Sequence, residues 1–358
     1  MKLGFFTMPM HPIGKDWQLS LKEDREAFIL ADQLGFVEGY VGEHATDPEE
    51  NITSSAMFIA TLVDATKNMK LGTGTTNMPN QHPAAIASNI AMLDHLLGGR
   101  FMLGISPGAL PSDAEVFGNM DLPRPAMFLE AINHVIKLWT TQPPYDLKGD
   151  FWNISTARTY SPETGMGTIP LPLQRPHPPI VVTAVAPFSQ GITEAAARGW
   201  DPISANFLLP MWVKTHWTKY VEGCARINRT PDPANWRVAK TVFVAKDDAT
   251  ARAYAMGSDG PYYYYYRSLF NKLKRRGALG VFKSDPKMPD EAVTLEQVME
   301  TLVIHGSPAK VADKLHTLKQ ETGEFGTLLY AGVDWKDPAL ARDSMVLMAE
   351  KVLPLMNA

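Results

Sequence analysis

KLGTGTTNMPNQHPAAIASNIAMLDHLLGGRFMLGISPG, residues 70–108, contains two strand-like runs joined by a helical pattern. Its apolar runs at 70–78 and 100–106 have the character of buried strands. Pro83 suits the first position of a helix, because its φ is fixed and it has no N–H group to leave unbonded. Apolar residues then recur at helical spacing, at Ile86, Ile90, Leu93 and Leu97. The glycine pair at 98–99 ends the helix. Strand, helix and strand predict a βαβ unit, which joins two parallel strands.

Strand-like and helical segments alternate along the rest of the chain. Strands are predicted at 2–7, 36–43, 70–78, 100–106, 179–184, 201–207, 237–245 and 325–332. Alternation of this kind indicates a parallel sheet. About eight units in 358 residues, with no change of composition to mark a second domain, favour a closed barrel over an open doubly wound sheet. The sequence therefore predicts a single (β/α)8 TIM barrel domain over residues 1–358.

Two long stretches interrupt the alternation. Residues 140–178 are rich in Pro and Gly and have neither a helical nor an alternating pattern, and residues 277–303 are largely irregular. Long irregular segments inside a compact domain usually serve a function. We predict that both stretches are insertions that face the substrate or cover the site.

The composition argues against several classes of protein. The net charge is −4, from 34 basic and 38 acidic residues, whereas a nucleic-acid-binding protein normally has a basic face. No apolar run approaches the roughly 20 residues that cross a bilayer, so no membrane partner is expected. Cys224 is the only cysteine, which excludes an intrachain disulfide. Together with the absence of a leader-like start, this predicts a cytoplasmic protein.

Residues that follow the strands are the candidate site, because barrel enzymes place catalysis at the carboxyl ends of their strands. The candidates are Met8, Met10, Glu43, His44, residues 75–82, residues 106–108, residues 185–189, Asn206 and residues 330–332.

His44 is the most informative of these residues. An imidazole has an ordinary pKa near neutrality, so His44 could act as a general acid or base or donate a hydrogen bond to a reaction intermediate. The alternative is a histidine that only caps the strand or contacts a loop, and spacing alone leaves both interpretations open. His82 precedes Pro83, and we expect it only to order the loop that enters the helix.

No metal or nucleotide motif is present in the sequence. The other histidines form no spaced ligand set, and there is neither an HExxH motif nor a Cys/His cluster, so no metal site is expected. The one candidate anion site is at 185–189, between a buried strand and a helix. Ser189 can cap that helix, and free N–H groups at a helix start favour phosphate. An ordinary N-cap is the alternative.

Several segments resemble the bacterial luciferase-like flavin-dependent monooxygenases, and the resemblance covers nearly the whole chain. These segments are GEH at 42–44, NQHP at 80–83, LD at 93–94, GGRF at 98–101, VFG at 116–118 and GSP at 306–308 with the helix that follows it. Within the family, NQHP, TVFVA at 241–245 and the segment at 322–328 are most similar to the diketocamphane and limonene monooxygenase branch.

The resemblance implies a (β/α)8 barrel that uses O2 and reduced flavin, usually FMNH2 from a separate flavin reductase. In the family a C4a-peroxyflavin forms in a pocket from which water is excluded, because water would let the peroxide escape. The expected substrate is a small hydrophobic ketone, aldehyde or terpene. A deazaflavin-dependent dehydrogenase and a non-catalytic flavin-binding protein are the alternatives, since relatives of both kinds share the fold.

The resemblance also assigns residues to the cofactor. His44 corresponds to the family's active-site histidine after the second strand. Gly74 and Thr75 correspond to the third-strand position where these folds often have a cis peptide beneath the flavin ring. The segment that wraps the flavin phosphate corresponds to Ala184, Val185, Ala186 and Ser189, with Ser189 as a ligand.

Three further expectations follow from the resemblance. Met8, Met10 and Asn77 are expected to line the substrate pocket. Pro107 stands where luciferase itself has an arginine near the flavin phosphate, so light emission is not implied and any positive charge must come from elsewhere. A homodimer is expected, with contacts through the helices at about 54–66 and 83–97.

Overall fold

A computed structural model of the chain describes residues 1–7 and 10–358. Its strands, in chain order, are β1 (Lys2–Thr7), β2 (Glu38–Val41), β3 (Lys70–Thr73), β4 (Thr76–Asn77), β5 (Phe101–Ser106), β6 (Asp146–Leu147), β7 (Ile154–Ser155), β8 (Ile180–Ala184), β9 (Asp201–Ser204), β10 (Arg237–Val244), β11 (Val303–Gly306) and β12 (Thr327–Gly332).

Eight of these strands form a closed parallel barrel in the order β1, β2, β3, β5, β8, β9, β10 and β12. The barrel closes because β12 pairs with β1, and the first half of β10 pairs with both β9 and β12. The predicted (β/α)8 TIM barrel is therefore confirmed.

Helices surround the barrel. They are α1 (Trp17–Gln33), α2 (Ser55–Ala60), α3 (Pro83–Leu96), α4 (Pro111–Val116), α5 (Arg124–Thr140), α6 (Gln190–Ala196), α7 (Pro210–Arg226), α8 (Asp248–Met256), α9 (Pro261–Arg275), α10 (Leu295–Leu302), α11 (Pro308–Thr322), α12 (Pro338–Leu347) and α13 (Leu353–Asn357). A π-helical turn, Met348–Val352, joins the last two helices. In the part of the chain that the structure describes, no helix is long and apolar enough to cross a bilayer.

The barrel interior is filled by side chains from successive strands. Seven strands each contribute one buried apolar residue to this cluster: Phe6, Tyr40, Met102, Val181, Ile203, Ala239 and Leu329. The eighth strand, β3, contributes Gly72, where an added Cβ would lie only 2.7 Å from the Tyr40 ring. These side chains leave the barrel interior packed.

The unit at 70–108 forms as predicted, with one interruption. The strand predicted at 70–78 stops after Thr73 and resumes as the two-residue β4, and the peptide bond between Gly74 and Thr75 is cis. Pairing with β5 resumes at Thr76 and Asn77, and the Asn77 amide N–H donates to the Glu43 carboxylate at 3.0 Å. His82 accepts a hydrogen bond from the Ala84 N–H at the start of α3, which agrees with the modest role expected of it.

Three segments differ from the sequence expectation. Residues 109–123, which lie outside the predicted strands and were expected to form a loop without a helix, contain α4, and the helix expected at about 54–66 is shortened to α2. Residues 277–303 contain α10, and the extra strand β11 begins at the end of this stretch and pairs with the second half of β10. A capping box between Thr294 and Gln297 starts α10, and its four-residue pattern was present in the sequence. The functional role of both insertions stays a prediction.

Candidate active site

His44 lies just after β2 at the mouth of the barrel, with a carboxylate facing each ring nitrogen. Its Nδ1 is 2.9 Å from Asp113 Oδ2, and its Nε2 is 3.5 Å from Glu50 Oε2. The side chain is 17% exposed, so it is largely shielded yet still reachable. The two carboxylates fix the ring in one orientation.

The same carboxylates control the protonation of His44. Burial by itself would lower the pKa of the imidazole, but Glu50 and Asp113 outweigh it and raise the pKa above the ordinary 6.5. His44 therefore keeps a proton to higher pH than a free histidine does. A histidine in this state can donate a proton or a hydrogen bond near neutral pH.

Asp113 is held in place from the other side. Its Oδ1 accepts hydrogen bonds from the Ala45 N–H at 3.1 Å, the Thr46 N–H at 2.9 Å and the Thr46 hydroxyl at 2.6 Å. Burial acts to raise the pKa of Asp113, but the hydrogen bonds from His44 and Thr46 dominate and lower it. Asp113 is thus an ionised partner for His44. It lies on α4, which was expected to be a loop, so sequence reasoning missed it.

Gly74 and Thr75 form the cis peptide at the next strand exit, as the resemblance led us to expect. A Cβ on Gly74 would come within 2.9 Å of both Phe6 and Tyr40, so this approach of the backbone needs glycine. The Thr75 hydroxyl donates to the Ser106 hydroxyl at 2.6 Å. The cis peptide is therefore tied to the neighbouring strand β5.

Asn77 and Glu43 brace the same part of the mouth. The Asn77 side-chain amide donates to the Glu43 carbonyl at 3.2 Å, and its oxygen accepts from the Ser106 hydroxyl at 3.0 Å. Glu43 also accepts from the Ser55 N–H and hydroxyl, at 2.9 and 2.6 Å. The polar atoms of Asn77 are thus engaged within the protein, and its place in the substrate pocket stays a prediction.

The segment after β8 contains two exposed residues and a serine whose hydroxyl does not cap the following helix. Ala184 is buried at the strand end, whereas Val185 and Phe188 are 48% and 60% exposed. Ser189 precedes α6, but its side chain makes no capping hydrogen bond, so that part of the prediction was wrong. The Ser189 hydroxyl is therefore not used by the helix.

His216 on α7 anchors this segment from beneath. Its Nε2–H donates to the Ala186 carbonyl at 2.9 Å, and its Nδ1 accepts from the Ser204 hydroxyl at 2.8 Å. Trp236 Nε1 in turn donates to the Ser204 oxygen at 3.0 Å. Burial lowers the pKa of His216 to about 4, so the ring is neutral near pH 7. The sequence placed His216 in no ligand set, and its anchoring role was missed.

Arg124 brings a positive charge to the neighbouring strand exit. Its Nη2 donates to the Pro107 carbonyl at 2.5 Å, and its Nη1 bonds Asn119. Gly108, with φ +74°, makes room for the guanidinium, because an added Cβ would lie 2.6 Å from Nη2. β5 and β8 are adjacent, so Arg124 lies at the exit next to residues 184–189. This cation stands beside the proline that occupies luciferase's arginine position.

The exit of β1 carries a second charged histidine. His11 is buried between Asp334, at 2.6 Å from Nδ1, and Asp24, at 3.1 Å from Nε2. Burial would lower the pKa of His11, but the two carboxylates raise it to about 9. Met10 is 2% exposed, and Met8 lies outside the described residues, so neither pocket assignment is tested.

The spacing of histidines and cysteines in the sequence predicted no metal site, but the fold brings three residues with possible metal-ligand atoms together. His11, Glu23 and Asp334 have ligand atoms within 4.8 Å of one another. Lys15 already pairs with Glu23 and lies 2.6 Å from Asp334, so an ammonium group meets these carboxylates in the structure.

These observations define a TIM barrel with a candidate cofactor site at its mouth. The model of the luciferase-like monooxygenase family matches residues 1–324. The chain belongs to this family, and it is a flavin-dependent oxidoreductase of the monooxygenase class.

Individual relatives agree with this assignment. The chain is 32% identical to 4-hydroxyprotoasukamycin monooxygenase of Streptomyces nodosus subsp. asukaensis, over 100% of this chain and 92% of that protein. It is 28% identical to 3,6-diketocamphane 1,6-monooxygenase of Pseudomonas putida, over 99% and 98% of the two chains. The solved structure of the oxygenating constituent of 3,6-diketocamphane monooxygenase from Pseudomonas putida, in complex with FMN, superposes with a TM-score of 0.89 at 28% identity, covering 99% and 98% of the chains.

Proposed function

We propose that this chain binds reduced FMN and uses O2 to oxygenate a small hydrophobic ketone, aldehyde or terpene, through the C4a-peroxyflavin that the family resemblance implies. The observation that carries the proposal is His44, held between Asp113 and Glu50 at the same barrel mouth as the cis peptide at 74–75. The FMN complex of a relative that superposes along nearly the whole chain supports the choice of cofactor.

The proposed orientation of FMN follows from the charges at the mouth. The phosphate lies against Ala184, Val185, Ala186 and Ser189, where the Ser189 hydroxyl makes no capping bond. Arg124 supplies the cation that Pro107 cannot. Gly74 and Thr75 would support the flavin ring, on the side of the mouth where His44 lies. The opposite orientation would place a phosphate among the carboxylates of Glu50 and Asp113, which would repel it.

In this proposal His44 is the group that touches the reacting atoms. It holds a proton on a ring whose orientation Asp113 fixes, so it can donate a hydrogen bond to oxygen as charge develops there. Reduced flavin supplies the electrons that activate O2. The packed interior below the site helps to exclude water.

The substrate class is inferred from the relatives and from the residues of the mouth. The reported relatives act, by name, on protoasukamycin and camphane compounds. Met8, Met10 and Asn77 are proposed to border the substrate. A separate reductase is the proposed source of reduced flavin, because the superposed relative is described as an oxygenating constituent. The cytoplasmic setting stays a prediction.

We also propose a homodimer through the helices at about 54–66 and 83–97. Three apolar side chains of these helices are exposed: Met57 at 73%, Met92 at 58% and Leu96 at 54%. Exposed apolar side chains in one region are typical of a contact surface. Light scattering should give a dimer for the wild type and a monomer for Met57→Glu combined with Met92→Glu; a wild-type monomer would refute this.

Product analysis under ¹⁸O2 tests the proposed reaction. The protein, an independent flavin reductase, NADH and FMN are incubated with a panel of ketones, aldehydes and terpenes. One ¹⁸O atom in the product of at least one compound is expected. Turnover without ¹⁸O, or tight binding of a deazaflavin in place of FMN, would instead favour the dehydrogenase alternative. Flavin binding without any turnover would favour the non-catalytic alternative.

A further inference from the structure

One stripe of α9 contacts the loop that follows His44. Tyr264, Ser268 and Lys272 recur every four residues and so share one side of the helix. The Tyr264 hydroxyl donates to Glu49 Oε1 at 2.7 Å, and the Ser268 hydroxyl bonds the other oxygen of Glu49. Other side chains of this helix face the core, namely Tyr262, Tyr265, Tyr266 and Leu269. The run of five tyrosines thus divides between core and loop.

Lys272 is the charged member of the stripe. Its Nζ is 2.5 Å from Asp47 Oδ2, 3.2 Å from Glu49 Oε2 and 3.5 Å from Glu50 Oε1. The other oxygen of Glu50, Oε2, is 3.5 Å from His44 Nε2. Glu50 therefore bridges a lysine on α9 and the histidine at the end of β2.

Burial leaves the pKa of Glu50 raised overall, and Lys272 is one of two cations that favour its ionised form. Burial raises the pKa of Glu50, the charges of His44 and Lys272 act to lower it, and Asp47 acts to raise it. Removing Lys272 would leave a buried carboxylate beside two other acids, and such a group takes up a proton rather than remain charged. A protonated Glu50 would no longer attract a proton to His44.

The groups that face this pair come from several elements. They are Glu43 after β2, Asp47 and Glu49 in the loop, Asp113 on α4, Tyr265 and Lys272 on α9, and Arg124 on α5 through its charge on Asp113. Lys272 is the cation among them that contacts the loop directly.

We propose that Lys272 is a positioning residue, which keeps Glu50 ionised and in contact with His44. Through Glu50, α9 then determines the environment of the active-site histidine. Lys272 acts through Glu50 and is not itself assigned a contact with substrate or flavin. The inference rests on the role proposed above for His44.

The pKa of His44, measured by NMR of ring-labelled histidines in the full-length protein, tests the proposal without any substrate. Lys272→Met and Glu50→Gln should each lower the pKa of His44, and the double variant should lower it no further than Glu50→Gln alone. Lys272→Arg should restore the wild-type value. Lys274→Met, which removes an exposed lysine of the same helix, should leave it unchanged.

Turnover gives a second readout. Lys272→Met should reduce kcat by up to about a hundredfold, the scale expected when a reacting group is misplaced, with little change in FMN binding. A folded Lys272→Met protein in which the pKa of His44 is unchanged or raised would overturn the proposal. If that variant does not fold, an unchanged pKa in Glu50→Gln overturns it equally. A wild-type protein that oxygenates nothing would refute the proposed function and leave the NMR result to decide the role of Lys272.

Discussion

The β2 side and the β8 side of the barrel mouth each contain a histidine that is largely shielded from solvent, and the environments shift the two pKa values in opposite directions. On the β2 side, Glu50 and Asp113 raise the pKa of His44 despite its burial. On the β8 side, His216 contacts a hydroxyl and a carbonyl, and burial lowers its pKa to about 4. Burial alone would lower both values, so the neighbouring groups decide the charge.

The two sides of the mouth therefore differ in the charge of the groups that they present. The β2 side is rich in carboxylates and suits proton transfer, but it repels an anion. The β8 side has a neutral histidine, two exposed residues and the nearby guanidinium of Arg124, so it suits a phosphate.

Replacing His44 should remove the proton-donating group of the β2 side. We expect His44→Ala to reduce turnover by about a hundredfold or more, the usual scale for a lost acid–base group, with FMN binding nearly unchanged. Stopped-flow turnover and flavin titration measure the two effects separately. His82→Ala, which removes a helix-capping histidine at the next exit, is the matched control. Unchanged turnover together with lost FMN binding would show that the two sides have been assigned the wrong way round.

Replacing Ser189 should weaken FMN binding on the β8 side. Ser189→Ala should weaken FMN binding by about 1–3 kcal/mol, which is about 5- to 150-fold in Kd, if one hydrogen bond to a charged group is lost. The effect on turnover at saturating FMN should be small. Ser307→Ala is a matched control, because Ser307 also precedes a helix without a side-chain capping bond. An unchanged Kd would remove Ser189 from the phosphate site.

The neutral His216 predicts loss of stability in acid. The folded protein resists protonating His216 until about pH 4, whereas the unfolded chain binds that proton near pH 6.5. The free energy of unfolding should therefore fall as the pH drops from about 6.5 to about 4. His216→Ala should lose about 1–3 kcal/mol at pH 7, because Ser204 and Ala186 lose a buried partner. Urea unfolding at several pH values should show that the unfolding free energy of His216→Ala falls less steeply in acid than that of the wild type. An equal slope would contradict the assignment.

The contribution of His11 to stability should depend on pH in the opposite way to that of His216. Its folded pKa is raised to about 9, so its stabilising contribution is complete below about pH 6.5 and is lost as the pH rises through 9. The difference in unfolding free energy between wild type and His11→Gln should therefore shrink between pH 7 and pH 10. A difference that stays constant over that range would mean that His11 is not a cation between Asp24 and Asp334.

Much of the fold was predictable because its signals are local. The βαβ unit at 70–108 follows from apolar periodicity, a proline and a glycine pair within one short stretch. β11 and α10 follow each other directly inside an insertion, outside the alternation of strands and helices that revealed the barrel, so they were not predicted. The capping box that begins α10 was readable, but it lay in a stretch that seemed irregular by periodicity alone.

The site was only half predictable, since its partners are distant in the chain. His44 and residues 184–189 were identified from strand exits and resemblance. Asp113 is 69 residues from His44, and His216 is 30 residues from Ala186, so no spacing rule connects them. Arg124 was missed for the same reason, because its guanidinium reaches the Pro107 carbonyl from the start of α5. Tertiary contacts of this kind do not show as local patterns in one sequence.

The most direct test of the central claim is rapid mixing of the protein with FMNH2 and then with O2, while the near-ultraviolet and visible absorbance of the flavin is followed. Our account predicts a long-lived absorbing species distinct from oxidised FMN, which decays faster when a suitable ketone, aldehyde or terpene is present. Immediate conversion to oxidised FMN, at the rate seen for the free cofactor, would contradict the claim that this barrel is built for oxygenation.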